Sequence, residues 1–430
     1  MPGFRMNSER DRPAGGRTPS GEIAGNLPEG RRGFPGTRQN ASLSTVPGFI
    51  RRMSDSTAFT ALVARSLKKS MFTLVDIGCS GGIEPAWRVF GDRLSAIGFD
   101  ASIDECERLA REETHPNIRY VAGFAGLPAD HPFAVKMKGK PPFNRFPFDR
   151  FSAARTLELR RGRIEAATLT EKLQHNAWNS TRLANPDEPV VVPRKLEELG
   201  YADVDYLKID IDSQDYQVLH SFDGHFDALG LLAARLEVCL FGNADETEQT
   251  FHNTDRFMRA RGFELFDLEV RHYSMAALPA PYAITVPAQT VTGRTFQADA
   301  LYARDPAGRD WAEFAAALSV EKLAKLAAIF SVWGQPDSAA EILTKFGARL
   351  AGLLDVGAGL ELLAVQAQPG VERPLSYKDY IAAFEADARE FYPAPFAPPV
   401  LRTAPAMFWR RLRAALMALR NPDAILPRDG

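Results

Sequence analysis

The stretch VDIGCSGGIEP, residues 75–85, joins a strand-like apolar run to a loop with almost no side chains. Val75 and Ile77 have the β-branched character of a strand. From Gly78 to Gly82 nothing is larger than cysteine. Asp76, Gly78, Ser80 and Gly82 fall at alternate positions, and small residues there let the backbone approach a ligand closely. A dinucleotide loop wants G-x-G-x-x-G, and Ser80 stands in place of its second glycine. The acid ahead of the glycines suits a ligand bearing an ammonium group, which a pyrophosphate does not offer. About two dozen residues on, AIGFDAS ends a second strand at Asp100, placed to accept hydrogen bonds from ribose hydroxyls.

Outward from this loop, short apolar strands alternate with amphipathic helices. Strands are predicted at 72–77, 94–99, 118–122, 204–211, 231–240, 263–268 and 298–303, with helices such as 56–69, 103–112 and 246–261 around them. Several strands are near-continuous apolar runs, as strands covered on both faces are. The alternation predicts an α/β fold: a doubly wound, mostly parallel seven-stranded sheet whose ligand lies beyond the carboxyl ends of the strands. Between Ala122 and Val204 lie about 80 residues, far more than a crossover needs. This connection, 123–203, is read as containing a cap insertion over the site.

The 430 residues allow one large domain with extensions, or two domains. Hydrophobic residues at 45% and charged residues at 25% are ordinary for a globular protein, and a net charge of −2 gives no basic field for nucleic acid. The three cysteines, Cys79, Cys106 and Cys239, are too few for a disulfide framework or zinc site. With no apolar run near the roughly 20 residues of a membrane span, a cytoplasmic location is expected. Residues 1–52 hold nine arginines against four acids and are expected to form a disordered arm. The α/β domain is placed at 53–304, and alanine- and leucine-rich helices at 305–392. There Leu323, Leu326, Ala327 and Phe330, then Ile342, Leu343 and Phe346, keep helical spacing around Gly334 and Pro336. Within 393–430 a proline-rich linker precedes MFWRRLRAALMALR (407–420), an arginine-bearing amphipathic helix. It suits either an anionic membrane surface, as a peripheral contact, or docking onto the helical region.

A second stretch, VDYLKIDIDSQDYQVLHSF (204–222), sets Lys208, Asp210 and Asp212 at alternate positions of a strand end, with Leu207, Ile209 and Ile211 between them. RLEVCLF adds Glu237 near the end of the neighbouring strand. Such groups at a sheet's carboxyl edge are costly without a purpose or partners. One reading is a base, or magnesium held by Asp210, Asp212 and Glu237, acting on a hydroxyl that must lose its proton. The other is a salt-bridged strand end with no catalytic role. His272, in LEVRHYSMAALP, is the alternative base. Cys79 is read as a small residue that fits the loop, not as a nucleophile.

The loop and Asp100 resemble the cofactor site of class I S-adenosylmethionine-dependent methyltransferases. KIDIDSQDYQVL resembles the fourth-strand motif of the FkbM type, K-I-D-V-E-G-x-E-x-x-V-L. Lys208, Asp210, Asp215, Val218 and Leu219 match or nearly match it, while Asp212 and Ser213 stand where glutamate and glycine are usual. VVVPRKLEELG and RLEVCLF match the flanking elements, so the resemblance spans about residues 72–304. It implies S-adenosylmethionine as cofactor, held by Asp76, Gly78, Cys79, Ser80, Gly82, Asp100, Ala101, Gly123 and Phe124. It also implies O-methylation of a sugar, glycoconjugate or related natural product. In the insertion, nine Lys/Arg against three acids over 131–165 suit an anionic acceptor or a solvated basic face. Trp178 with Asn176, Asn179 and Ser180 suits a glycan. Two readings of other classes are a catalytically inactive cofactor-binding scaffold that recruits partners through its helices, and an NAD-dependent oxidoreductase, which the missing second glycine disfavours.

Overall fold

The computed structural model describes residues 57–68, 70–140, 182–211, 214–242, 245–273, 289–290, 293–308 and 311–391. The N-terminal arm, the middle of the cap insertion with Trp178, the residue Asp212, and the linker and basic helix of 393–430 lie outside them.

The sheet is mostly parallel and doubly wound. Strands β1 (Phe72–Ile77), β2 (Leu94–Asp100), β3 (Ile118–Ala122), β4 (Tyr206–Ile209) and β5 (Ala233–Cys239) are parallel. After β6 (Glu264–Tyr273) and a two-residue β7 (Gln289–Thr290), β8 (Arg294–Ala303) inserts antiparallel between β5 and β6. The order is β3-β2-β1-β4-β5-β8-β6-β7, eight strands among the described residues where seven were expected, the short β7 being the addition. The order reverses between β1 and β4, which puts the switch point beside the Gly78 loop.

Several elements start or end short of their sequence patterns, two of them for visible local reasons. Strand β4 begins only at Tyr206 because the Asp205 side chain turns to accept from Thr73 N at 2.8 Å. The helix expected over 246–261 is Phe251–Arg259: Asn253 Nδ2 donates to the carbonyls of Asp245 and Glu248 and holds the preceding residues in a turn. By contrast, α2 (Ile103–Glu112) matches its pattern, capped by Ser102 Oγ accepting from Glu105 N, with acids in its first turn.

Two apolar clusters cover the sheet. On one face α4 (Val192–Glu198), α5 (Asp215–Ser221) and α6 (Phe251–Arg259) pack on Val75, Ile77, Ile97, Leu207, Ile209, Leu236 and Val238. The other face receives α1 (Ala58–Ser66) and, from the helical region, α8 (Val320–Val332), α9 (Pro336–Leu350) and α10 (Val356–Gln366); the same region also holds α7 (Ala312–Ala317) and α11 (Tyr377–Ala386). Helix α8 is buried continuously from Leu323 to Val332, which explains why that stretch is apolar apart from Lys325 and Ser331. Its Lys325, 1% exposed, donates to Asp205, itself fully buried. Trp333 Nε1 donates to the Tyr206 hydroxyl at 3.1 Å. The helical region therefore shares a core with the sheet.

Along this second face the strands change character. By the period-2 alternation, Leu74, Ala96, Tyr206, Ala233 and Leu301 are apolar in its amino half. One or two pleats further on stand Asp76, Lys208, Arg235, Glu237 and Asp299, brought side by side by the register.

Candidate active site

The loop after β1 is built around missing side chains. Gly78 N and Cys79 N both donate to Phe99 O, at 2.8 and 3.1 Å, folding the loop over the end of β2. Gly78 has φ +90°, and a Cβ there would lie 1.9 Å from Asp210 O, so only glycine lets β1 and the end of β4 converge this closely. In β2 a Cβ on Gly98 would meet Cys79 Sγ at 2.6 Å. The Cys79 thiol thus fills the space that Gly98 leaves. Its contact with Cys106, together with burial, pushes its pKa well up, which suits a filler rather than a nucleophile.

Asp100 closes the other side of the loop. It is buried and accepts from Ser102 N at 2.8 Å, with Ser80 of the loop beside it. Burial raises its pKa, and hydrogen bonding acts against the rise. Gly123 N donates to Asp100 O, which sets the β3 turn beside it.

Asp76 is buried, and its Oδ1 lies 3.2 Å from Lys208 Nζ, which is 3.7 Å from Asp210 Oδ2. The ammonium group expected on a ligand is therefore supplied here by Lys208. Burial pushes the Asp76 pKa up to about 6, with Lys208 resisting. For Lys208, burial disfavours the charge, but Asp76 and Asp210 together outweigh it and raise the pKa.

Beyond Lys208 runs a network that sequence reasoning missed. Arg271 Nη1 donates to Glu237 Oε1 at 2.6 Å, and its Nη2 to both oxygens of Asp299 at 2.8 Å. Arg235 donates to Asp299 at 2.6 Å and to Glu84 at 2.8 Å. The signal lay in the alternation of Arg235 with Glu237 and of Arg271 with Glu269, which places charges on one face of adjacent strands. Glu237 is 3% exposed, and its Oε2 has no hydrogen-bond partner among the described residues. Burial and the nearby charges of Asp210 and Asp215 push its pKa well up.

The structure brings Lys208, Asp210 and Glu237 into one electrostatic neighbourhood. It does not bring in His272. That residue follows Arg271 at a β-bulge in β6, and no hydrogen bond or ion pair among the described residues joins it to the cluster. Nor do the described carboxylates assemble a magnesium site: Asp210 and Glu237 face Lys208 and Arg271, and no group of three or more His, Cys, Asp or Glu residues suited to a metal occurs among the described residues. The third expected ligand, Asp212, lies outside them.

The two described arms of the insertion grip opposite sides of the site. On the β5 side, α3 (Pro132–Met137) stacks Phe133 on His220, and Lys140 pairs with Asp245 at 2.7 Å. Burial drops the His220 pKa to about 3, so this histidine packs and stays neutral. On the β2 side, Ala184 N donates to Ala101 O, Val190 N donates to Phe124 O, and Arg182 pairs with Glu107. Ala101 and Phe124, expected beside the cofactor, are thereby backed by the insertion's return. A separate groove of about 400 Å³ lined by Thr73, Asn117, Arg119 and Tyr201 opens at the opposite, amino edge of the sheet, away from all of these groups.

No family model matches the chain, and no curated protein matches it. Among solved structures it is similar to the TehB-like SAM-dependent methyltransferase from Corynebacterium glutamicum ATCC 13032 Kitasato, at 10% identity and a TM-score of 0.24, covering 57% of this chain and 87% of that one. It is also similar to the 23S rRNA methyltransferase ErmE, at 12% identity and a TM-score of 0.23, covering 72% of this chain and 97% of that one. Scores this low decide nothing about chemistry. The strand order and the loop geometry stand on their own.

Proposed function

We propose that the protein is an S-adenosylmethionine-dependent O-methyltransferase, resembling the FkbM type, that acts on a hydroxyl of a sugar, glycoconjugate or related natural product. The observation that carries the reading is the cradle at the switch point. There a backbone too close for any Cβ at Gly78 meets the end of β4, with Asp100 on one side and Asp210 on the other. A nucleoside fits such a cradle, with Asp100 accepting from ribose hydroxyls and Ser80 and Gly82 lying against it. Bound there, S-adenosylmethionine supplies an electrophilic methyl group.

The chain's own task is then to position a hydroxyl and take its proton. Asp210 suits that task because its side chain is 29% exposed, while those of Lys208 and Asp76 are 11% and 3% exposed. Lys208, with its Nζ 3.7 Å from Asp210 Oδ2, orients that carboxylate. Glu237, paired through Oε1 with Arg271, leaves its buried Oε2 unpartnered among the described residues in the same neighbourhood. The described groups also bear on the acceptor. Asp76, Glu84, Asp210, Glu237, Glu269 and Asp299 outnumber Lys208, Arg235 and Arg271, and Lys136 and Lys140 of the insertion are engaged by Glu246 and Asp245. That balance favours a neutral polyol over an anion. Three free, buried cysteines accord with a reducing, cytoplasmic setting, and no helix among the described residues is long and apolar enough to cross a membrane.

Titration calorimetry with S-adenosylhomocysteine tests the reading. Binding is expected, and Asp100→Ala is expected to weaken it by about 1–3 kcal/mol through lost charged hydrogen bonds. Binding of NAD with none of S-adenosylhomocysteine would overturn it.

A further inference from the structure

Helix α11 has no buried residue. Around it, Val365, Val371, Leu375, Ile381 and Phe384 are 41–50% exposed, although each is large and apolar. Only Val135 and Leu183 share that description elsewhere among the described residues. A ten-residue helix with nothing buried is too short to persist in water on propensity alone, so this apolar face needs a cover.

We propose that residues 407–420 of the same chain cover it. The described chain ends within the patch itself, since the Phe391 ring lies 5.1 Å from Tyr380 and 5.4 Å from Phe384. The fifteen residues 392–406 are proline-rich, and at roughly 3.1 Å per residue an extended linker of that length reaches about 45 Å, ample for a return onto α10 and α11. The segment offers Phe408, Trp409, Leu412, Leu416 and Leu419 along one helical stripe.

Charge selects this partner over others. Residues 355–391 hold seven acids and three basic residues, whereas 407–420 hold four arginines and no acid. An acidic surface with an apolar centre meets a basic segment with an apolar stripe. The same acidic surface repels a second copy of itself and an anionic bilayer alike.

Hydrogen exchange on the full chain tests the proposal. The 377–386 amides are expected to be protected in the natural sequence. In full-length Leu412→Asp/Leu416→Asp they should exchange at least about tenfold faster, with S-adenosylhomocysteine binding unchanged. Oxidation of full-length Phe384→Cys/Leu412→Cys by diamide, which takes up the two thiol hydrogens as the disulfide forms, should give an intramolecular cross-link that neither single variant gives. Three results overturn the proposal: exchange in 377–386 that ignores the tail substitutions, protection that grows with protein concentration, or protection that arises only with phosphatidylglycerol vesicles. The second would assign the face to another copy, the third to a membrane.

Discussion

Replacing Gly78 by alanine tests the cradle at its tightest point, and Gly81→Ala supplies the control within the same loop. Both glycines have positive φ, +90° and +87°, so alanine at either pays the left-handed strain of about 1–2 kcal/mol. Nothing lies within 4 Å of a Cβ at Gly81, and strain is the whole effect there. At Gly78 the Cβ would sit 1.9 Å from Asp210 O and 2.7 Å from its carbonyl carbon, against backbone rather than a side chain that can swing away. The end of β4 must move by more than an ångström, and overpacking of that kind adds about 1–3 kcal/mol. Gly78→Ala should therefore lower the urea unfolding free energy by about 2–5 kcal/mol, and Gly81→Ala by about 1–2. The shift of Asp210 should also weaken S-adenosylhomocysteine and slow methyl transfer in the first variant more than in the second. Equal destabilisation by the two, with affinity retained in both, would refute the close approach of β1 and β4 on which the site rests.

Asp210→Asn should cut turnover by about a hundredfold or more while S-adenosylhomocysteine affinity changes little; full activity would remove Asp210 as the base. Asp205→Ala leaves Lys325 buried without its carboxylate and should cost about 3–5 kcal/mol in denaturant titration; a loss under 1 kcal/mol would show that the ion pair is dispensable. Asp215 is buried, and burial pushes its pKa up to about 7, so the folded chain holds a proton there that the unfolded chain has released. Stability from this group is therefore fully present below pH about 4 and falls as pH rises towards 7; Asp215→Asn should become progressively more stable relative to the natural chain across that window, and a pH-independent difference would contradict it.

The glycine loop, Asp100 and the parallel strands were legible because each is a local signal. A bare turn after an apolar run and an acid ending the next strand need no tertiary information. Strands β1 and β3 and helix α2 fell where their patterns put them, since a period-2 run or a Ser102 cap fixes its own ends. The Arg271–Asp299–Arg235–Glu84 chain was not legible, because its members lie up to about two hundred residues apart and meet only through register. The same holds for Asp76. Its expected ammonium partner was sought on a ligand, while the parallel pairing of β1 with β4 sets Lys208 directly opposite it. A late shift in α6 came from Asn253, whose side chain competes for backbone carbonyls in a way that hydrophobic periodicity cannot register.

The helical region belongs to the site as much as to the core. Trp333, just beyond α8, donates to Tyr206 in β4 and lies 5.1 Å beneath the Arg235 guanidinium, which also donates to Glu84 and Asp299. Two residues after Tyr206 comes Lys208, and two after that Asp210. A strand has only one way to present alternate side chains, so the packing that seats Tyr206 against Trp333 also fixes where Lys208 and Asp210 point. The amino half of this sheet face is held by apolar contact with α8, and the carboxyl half carries charges that need a rigid frame to keep their partners. A region whose helices only recruited other proteins would have no reason to bury Lys325 against Asp205, just before β4, or to place an indole under Arg235. Those contacts make the C-terminal helices the floor of the candidate active site, and they weigh against reading the chain as a scaffold with a detachable partner-binding module.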